Sequence, residues 1–320
     1  MKNFIYILLF ILLLGSIYLI TNQTKEIKVS EISEDETLEV VPESNVASSS
    51  VIPQDKVLGE KKVITEILKP KLIHIDYNGI KVDAWAEGVR GSKEVDMLLV
   101  YHGTASKDSL IVDSALTILE KTRNILNRDN LMIVSVAYPE EGLLLGDNIK
   151  QSEAALLWAK TKASAELGIK INKIYLFGHS QGGYLVTRLN TMHETNGVIA
   201  NAPGPIDLSY RCQFDEKSKK AKQEFVCTLL REEYGSVFTN PTAYRERSLI
   251  SFTNDHKAKI LFIQGLEDSD IQMKLWPEFK AELNKCTNCA SYEFFELPGF
   301  GHGAVFDSKE AIARFNEFLK

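Results

Sequence analysis

Residues 173–183 read KIYLFGHSQGG, and this stretch decides the fold of the chain. Its apolar first half predicts a buried strand. Residues 178–182 then match the pattern G-x-S-x-G, which joins a strand to a helix through a tight turn. Side chains in place of Gly178 and Gly182 would collide with the backbone of neighbouring strands or helices. The stretch therefore predicts that Ser180 lies exposed at a sharp bend, where it can act as a nucleophile.

A serine hydroxyl is a weak nucleophile and needs a base that is oriented by an acid. Where the serine lies in a turn of this kind, the acid follows it in the chain and the histidine comes last. The apolar run 260–264 (ILFIQ) predicts a strand, and the segment after it reads GLEDSDI. Three carboxylates in that segment compete for the role of the acid: Glu267, Asp268 and Asp270.

The base is expected in the loop that follows the last predicted strand, residues 291–297 (SYEFFEL). That loop reads PGFGHG, so His302 lies between two glycines that allow the loop to present its imidazole to Ser180. We therefore predict that His302 is the base. The other isolated histidines are expected to be structural or exposed: His74, His193 and His256.

An acyl-transfer site also needs two N–H donors that stabilise the oxyanion. One is expected from the backbone of Gln181, directly after the nucleophile. The other is expected from the loop after the apolar run 97–101, and we favour the backbone N–H of Thr104, with Gly103 as the alternative. His102 in the same loop is expected to support the loop rather than to transfer protons.

Short apolar runs alternate with amphipathic segments along the chain, which predicts an α/β fold with a mostly parallel central sheet and helices on both faces. Active sites of such sheets lie at the carboxyl ends of the strands. The predicted strands are residues 97–101, 132–137, 173–177, 198–200 and 260–264. The predicted helical segments are residues 109–126, 148–167, 181–194 and 307–319.

Two further segments complete the predicted domain, which covers residues 61–320. Residues 72–77 and 80–85 flank Asn78-Gly79, a strong signal for a two-residue hairpin turn. Residues 203–258 are longer than an ordinary connection between strands and contain several short helical patterns. We expect them to form an inserted cap over the site.

The N-terminus predicts export and attachment to a membrane. Residues 4–20 carry no charge and follow Lys2. As a helix they would span roughly 25 Å, a minimal length for a hydrocarbon core of about 30 Å. We expect residues 1–22 to be an uncleaved anchor, with a cleaved signal peptide as the alternative, and residues 23–60 to be a flexible linker. The catalytic domain would then be extracytoplasmic, or secreted if the segment is cleaved.

The four cysteines form two local pairs in the sequence. An oxidising compartment would favour the bridges Cys212–Cys227 and Cys286–Cys289, although sequence alone cannot choose among three pairings. The C-x-x-C spacing of the second pair also occurs in redox and metal sites. No histidine pair accompanies it at zinc spacing, so we favour a structural disulfide or plain thiols.

Charge and composition exclude one class of partner. The formal net charge is −6, and no basic stretch carries interleaved aromatic residues, so nucleic acid is not an expected partner. The expected chemistry requires no metal and no organic cofactor.

Together these residues resemble the α/β-hydrolase superfamily over residues 63–320. The nearest resemblance is to the catalytic domain of prolyl oligopeptidases and to dienelactone-hydrolase-like esterases. Residues 240–248 (NPTAYRERS) are similar to the stretch that precedes the acid in that peptidase family, and Gly182-Gly183 resembles its nucleophile turn. The G-x-x-D spacing after residues 260–264 resembles the family's acid turn and favours Asp268. The chain departs from these peptidases in having no room for their β-propeller.

The resemblance implies a serine hydrolase that cleaves a carboxylic ester or an amide through an acyl-enzyme on Ser180. The expected substrate is a small ester or a short peptide. Two alternatives remain open at this stage: a serine peptidase of the prolyl-oligopeptidase type, and a non-catalytic binding protein on the same fold.

Overall fold

The computed structural model describes residues 68–88, 91–138, 149–218 and 224–320. In these residues eight strands form one sheet. The strands are β1 (Lys71–Tyr77), β2 (Ile80–Glu87), β3 (Glu94–Tyr101), β4 (Leu131–Ala137), β5 (Lys170–His179), β6 (Gly197–Asn201), β7 (Ile260–Gly265) and β8 (Tyr292–Leu297). Their spatial order is β1-β2-β4-β3-β5-β6-β7-β8.

The sheet is antiparallel at one edge and parallel elsewhere. β1 and β2 form the predicted hairpin, in which Asn78 and Gly79 take φ values of 55° and 84°, as a two-residue turn with left-handed residues requires. β2 pairs antiparallel with β4, and every pairing from β4 through β3 to β8 is parallel. The predicted fold class, an α/β-hydrolase fold with a mostly parallel sheet, is confirmed.

The α-helices of the described residues are α1 (Ile111–Ile125), α2 (Ile149–Thr161), α3 (Ala163–Leu167), α4 (Gln181–Met192), α5 (Leu208–Lys217), α6 (Phe225–Tyr234), α7 (Pro241–Arg245), α8 (Asp270–Leu283), α9 (Ala304–Asp307) and α10 (Lys309–Phe318). The segment predicted as one helical stretch over residues 148–167 is divided, because Lys162 at φ −120° interrupts it. Within the described ranges, no helix is both long enough and apolar enough to cross a bilayer.

The central strands are buried on both faces, as their unbroken apolar runs predict. Met97 and Leu99 of β3 belong to one apolar cluster, whereas Leu98 and Val100 belong to the other, because successive side chains of a strand point to opposite faces. Residues of α2, α4 and α8 contribute to the first cluster and residues of α1 and α10 to the second. Helices therefore cover both faces of the sheet, in agreement with the prediction.

Residues 202–259 connect β6 to β7, and we call them the β6–β7 segment. They contain α5, α6 and α7 together with a 3-10 helix at Leu249–Phe252. The segment has its own buried cluster, which includes Leu208, Leu230 and Tyr244. It spans residues 203–258, which stay a predicted cap, and the predicted boundaries at residues 22 and 60 lie outside the described residues.

Two disulfides join the four cysteines in the local pairing that an oxidising compartment would favour. Cys212 of α5 is bonded to Cys227 of α6, and Cys286 is bonded to Cys289 between α8 and β8. The first bridge lies inside the apolar cluster of the β6–β7 segment. It ties the two helices of that segment to each other.

Close backbone contacts around the turn after β5 explain its glycines. A Cβ on Gly178 would lie 2.0 Å from the carbonyl oxygen of Gly182, and a Cβ on Gly182 would lie 2.0 Å from that of Tyr101. Both obstacles are backbone atoms and cannot rotate away. The turn can therefore approach the end of β3 only if these positions have no side chain.

We predict that Gly182→Ala destabilises the protein by about 3 kcal/mol or more, because the added methyl group overlaps the Tyr101 carbonyl. Gly88→Ala is the matched control, since a Cβ there meets only Leu68 Cδ1 at 3.9 Å. We expect the control to change the free energy of unfolding by less than about 0.5 kcal/mol. Denaturant titrations of both variants measure the difference, and equal stabilities would contradict this explanation of the turn.

Candidate active site

Ser180 lies between the end of β5 and the start of α4, in a conformation that non-glycine residues rarely adopt. Its φ is 57° and its ψ is −118°, so the turn is strained. Surrounding hydrogen bonds hold this conformation. The Ser180 N–H donates to the carbonyl of Asn201 at 2.9 Å, and the Ser180 carbonyl accepts from the N–H groups of Tyr184 and Gly204, each at 3.1 Å.

Asp268 lies in the loop after β7 and accepts three hydrogen bonds. They come from His302 Nδ1 at 2.8 Å, from Gln264 Nε2 at 3.0 Å and from the Ser269 N–H at 2.6 Å. Burial of the carboxyl raises its pKa, but these hydrogen bonds and the nearby imidazole outweigh burial, so the pKa of Asp268 lies below its usual value. Asp268 is therefore an ionised acceptor next to the predicted base.

The two competing acids lie elsewhere. Glu267 and Asp270 are exposed, and neither forms a hydrogen bond with His302. Asp270 is instead the first residue of α8, where a negative charge is favourable. Among the three candidates, the structure brings Asp268 alone into contact with the imidazole.

The loops that carry Asp268 and His302 meet at a glycine. A Cβ on Gly265 would lie 2.2 Å from the Gly301 carbonyl oxygen and 2.3 Å from that of Phe300. The missing side chain lets the two loops touch, which places His302 Nδ1 against Asp268. The His302 side chain is 48% exposed, whereas that of Asp268 is 4% exposed. The imidazole is thus open to a substrate while the acid is shielded.

All five predicted site residues line one cavity of about 530 Å³: Thr104, Ser180, Gln181, Asp268 and His302. Among the described residues, no hydrogen bond joins the Ser180 hydroxyl to His302. Catalytic hydrogen bonds of this kind are often long in an empty site and tighten when a substrate binds. The bond from Nδ1 to Asp268 leaves Nε2 as the imidazole nitrogen available to Ser180.

The loop predicted to supply an oxyanion donor lies beside Ser180. A Cβ on Gly103 would be 3.4 Å from Ser180 Cβ, and Thr104 lines the cavity. Gln181 is the first residue of α4, so its N–H has no acceptor within the helix. Both residues predicted to supply an N–H donor therefore line the cavity that contains Ser180, and the role of their N–H groups stays a prediction.

His102 supports this loop, as expected. Its ring stacks on Tyr138 with centroids 4.5 Å apart, and the Tyr138 hydroxyl donates to the His102 carbonyl. Burial lowers the pKa of His102 to about 4, so the ring is neutral near pH 7.

Asn201, at the end of β6, is a site residue that the sequence analysis missed. Its side chain is fully buried and connects the turn of Ser180 to the loop of His302. Nδ2 donates to His179 Nδ1 at 2.7 Å and to the His302 carbonyl at 3.3 Å, and Oδ1 accepts from the Val305 N–H at 3.2 Å. A polar residue at the carboxyl end of an apolar strand was the signal that could have revealed it.

His179 stands next to the nucleophile but is unsuited to act as the base. Burial, and then the nearby His302 and Lys121, lower the pKa of His179 to about 3, so the ring is neutral and weakly basic. Its Nδ1 already accepts a hydrogen bond from Asn201. His302, whose Nδ1 donates to the Asp268 carboxylate, stays the predicted base.

The β6–β7 segment supplies much of the remaining wall of the cavity. Among the described residues, apolar side chains dominate this wall, together with one cation, Arg211 of α5. The acid in the same described lining is Asp268, which is bonded to His302. Within the described ranges, no group of three or more His, Cys, Asp or Glu side chains could hold a metal ion.

Solved structures with this fold include esterases and a peptidase. An esterase of Pyrobaculum calidifontis is 17% identical, with a TM-score of 0.58 over 79% of this chain and 84% of its own. Est1E from Butyrivibrio proteoclasticus is 15% identical, with a TM-score of 0.54 over 78% and 97% of the two chains. At these identities the likeness shows the fold.

An acylaminoacyl peptidase of Pyrococcus horikoshii is 14% identical, with a TM-score of 0.56 over 79% of this chain. The match covers 42% of the peptidase, so this chain corresponds to less than half of that enzyme.

Sequence comparison identifies the family. No curated protein matches the chain significantly. The family model described as the prolyl oligopeptidase family (Peptidase_S9) matches residues 150–320, which are more than half of the chain and include Ser180, Asp268 and His302. The protein therefore belongs to the prolyl oligopeptidase family and is a serine hydrolase that acts on ester or amide bonds.

Proposed function

We propose that the protein is a carboxylesterase that forms an acyl-enzyme on Ser180, with His302 as the base and Asp268 as the orienting acid. One observation carries this proposal: the strained Ser180 shares a cavity with an imidazole whose other nitrogen is bonded to a shielded carboxylate. This arrangement matches the roles that acyl transfer requires.

Acylation begins when Ser180 Oγ attacks the ester carbonyl carbon and His302 Nε2 takes the hydroxyl proton. The carbonyl π electrons move to the oxygen, and the N–H groups of Gln181 and Thr104 stabilise that oxyanion. When the oxyanion collapses, the bond to the leaving alcohol breaks and His302 returns the proton to the alcohol. Water then attacks the acyl-enzyme through the same base, which releases the acid and regenerates Ser180.

Asp268 and Asn201 position the base without taking part in these transfers. Asp268 fixes the tautomer with hydrogen on Nδ1 and stabilises the imidazolium that forms. Asn201 holds the backbone of His302 against the Ser180 turn through the contacts at 3.3 Å and 2.9 Å. A small change in the distance between His302 and Ser180 would lower the rate, because catalysis depends on near-attack geometry.

The character of the cavity favours an ester over a peptide with a free amino terminus. An ammonium group would need a carboxylate partner, and the acid that lines the described cavity is Asp268, whose oxygens are occupied. The apolar wall suits an acyl chain instead. Peptidase activity remains the second candidate, since the family includes peptidases and a neighbour in fold is an acylaminoacyl peptidase.

We predict that a fluorophosphonate probe labels Ser180 and that Ser180→Ala abolishes labelling. The same variant should lower kcat for short 4-nitrophenyl esters by about 10³-fold or more, because the nucleophile is lost. Ser269→Ala, a serine in the same cavity, is the matched control and should still be labelled. Hydrolysis of amino-acyl nitroanilides in preference to esters would overturn the ester proposal, and labelling of Ser180→Ala would overturn the nucleophile.

We further propose that residues 1–22 tether the enzyme to a membrane, with residues 23–60 as a linker and the domain at residues 61–320 outside the cytoplasm. What supports this is the uncharged sequence of residues 4–20, preceded by Lys2. The local disulfide pairing agrees with an oxidising compartment. If the segment is cleaved, the domain is secreted.

Fractionation of cells that express the full chain tests this localisation. We expect the protein in the membrane fraction after alkaline carbonate washing, and we expect protease added outside the cytoplasmic membrane to degrade the domain. Recovery of a shortened soluble protein outside the cells would indicate cleavage. Full-length protein in the cytosolic fraction, protected from protease, would contradict export.

A further inference from the structure

The active-site cavity has an uneven distribution of charge. Part of its lining is an apolar wall formed by side chains of α6 and α8: Phe225, Val226, Leu229, Leu230 and Ile271. Among the described lining residues, one Lys or Arg side chain is present, that of Arg211 in α5. The Arg211 side chain is only partly buried, so its charge is accessible to a ligand that enters the cavity.

The guanidinium of Arg211 has more N–H donors than the one that binds Glu224. Its Nε donates to Glu224, the residue that precedes α6, and this pair is partly exposed. A guanidinium carries five N–H donors in a planar fork that fits a carboxylate. Among the described residues, the guanidinium of Arg211 forms no other hydrogen bond, and Glu224 does not line the cavity.

Among the described residues that line the cavity, no free carboxylate is left to neutralise Arg211. Asp268 is shielded and bonded to His302, Gln264 and Ser269. Asp215, one turn along α5, is buried and does not line the cavity. Its Oδ1 accepts the Glu224 N–H at 2.9 Å, and its Oδ2 forms no hydrogen bond with the described residues. Within the described lining, a ligand therefore meets a guanidinium at the apolar wall and no available carboxylate.

We propose that Arg211 binds a carboxylate of the substrate, so that the preferred substrates are anionic esters whose apolar portion contacts the wall formed by α6. This rests on the proposed esterase function and narrows its substrate class. The carboxylate can belong to the acyl part, as in a half-ester of a dicarboxylic acid, or to the leaving alcohol. Glu224 competes with it for the guanidinium.

Two matched pairs of esters distinguish a carboxylate on the acyl part from a carboxylate on the leaving alcohol. Mono-4-nitrophenyl adipate and its methyl ester differ in charge on the acyl side, and 4-butyryloxybenzoate and its methyl ester differ on the alcohol side. The preference for an anionic substrate is measured as a ratio. It is kcat/KM for the ester that carries the free carboxylate divided by kcat/KM for the same ester with that carboxylate methylated. We expect a ratio of about ten or more for one pair, since an Arg–carboxylate hydrogen bond is among the stronger ones.

Two substitutions should move this ratio in opposite directions. Arg211→Gln removes the guanidinium and should lower the ratio about tenfold, whereas Glu224→Gln removes the competitor and should raise it. Lys217→Gln is the matched control, because it removes the same charge from an exposed residue of α5 that does not line the cavity. The control should leave the ratio unchanged.

Hydrolysis of both methyl esters with ratios near one would overturn the role of Arg211 and leave the esterase proposal intact. If Arg211→Gln and Lys217→Gln lowered the ratio equally, the change would reflect net charge alone. That result would also overturn the role of Arg211. Absence of any hydrolysis would overturn the esterase proposal. In that case, calorimetric titration with monomethyl adipate tests the role of Arg211 directly, with the Ser180→Ala protein compared to the Ser180→Ala, Arg211→Gln protein. Tighter binding by the protein that keeps Arg211 supports its role in binding the carboxylate. Equal binding by the two proteins rejects that role.

Discussion

The close approach of three backbone segments at Ser180 is the constraint on which the rest of the structure depends. The end of β3, the end of β5 and the start of α4 meet without room for a Cβ at Gly178 or Gly182. This crowding forces Ser180 into a left-handed φ of 57°. The same contacts place the N–H of Gln181 and the loop of Thr104 around one point. Strain here is maintained by the surrounding sheet, as is common at functional sites.

A second constraint brings the base to that point. Gly265 lets the loops after β7 and β8 touch, which joins Asp268 to His302, and Asn201 attaches the His302 loop to the strand beside the nucleophile. The site is therefore assembled at the carboxyl ends of neighbouring parallel strands. The β6–β7 segment adds an apolar wall and Arg211. In the function that we propose, the sheet supplies the chemistry and this segment supplies the contacts that select a substrate.

Much of this could be predicted from sequence because the signals are local. The alternation of apolar runs predicted the sheet, Asn78-Gly79 predicted the hairpin, and G-x-S-x-G identified Ser180 from five adjacent residues. Long-range contacts could not be predicted. Asn201 and His302 are about a hundred residues apart, and nothing in either local sequence indicates that they touch. The position of Arg211 in the cavity depends in the same way on how distant loops pack. Asp268 was favoured among the three acids through the family resemblance, since local chemistry alone does not distinguish them.

The central claim is that His302 activates Ser180, and the most direct test is the pre-steady-state burst of 4-nitrophenol from a short ester. Replacement of His302 by Gln should slow the burst by about 10³-fold or more, because proton transfer from the serine is lost. Replacement of His74, whose side chain is 77% exposed in β1, should leave the burst at the wild-type rate. A wild-type burst in the His302→Gln protein would contradict the proposed mechanism.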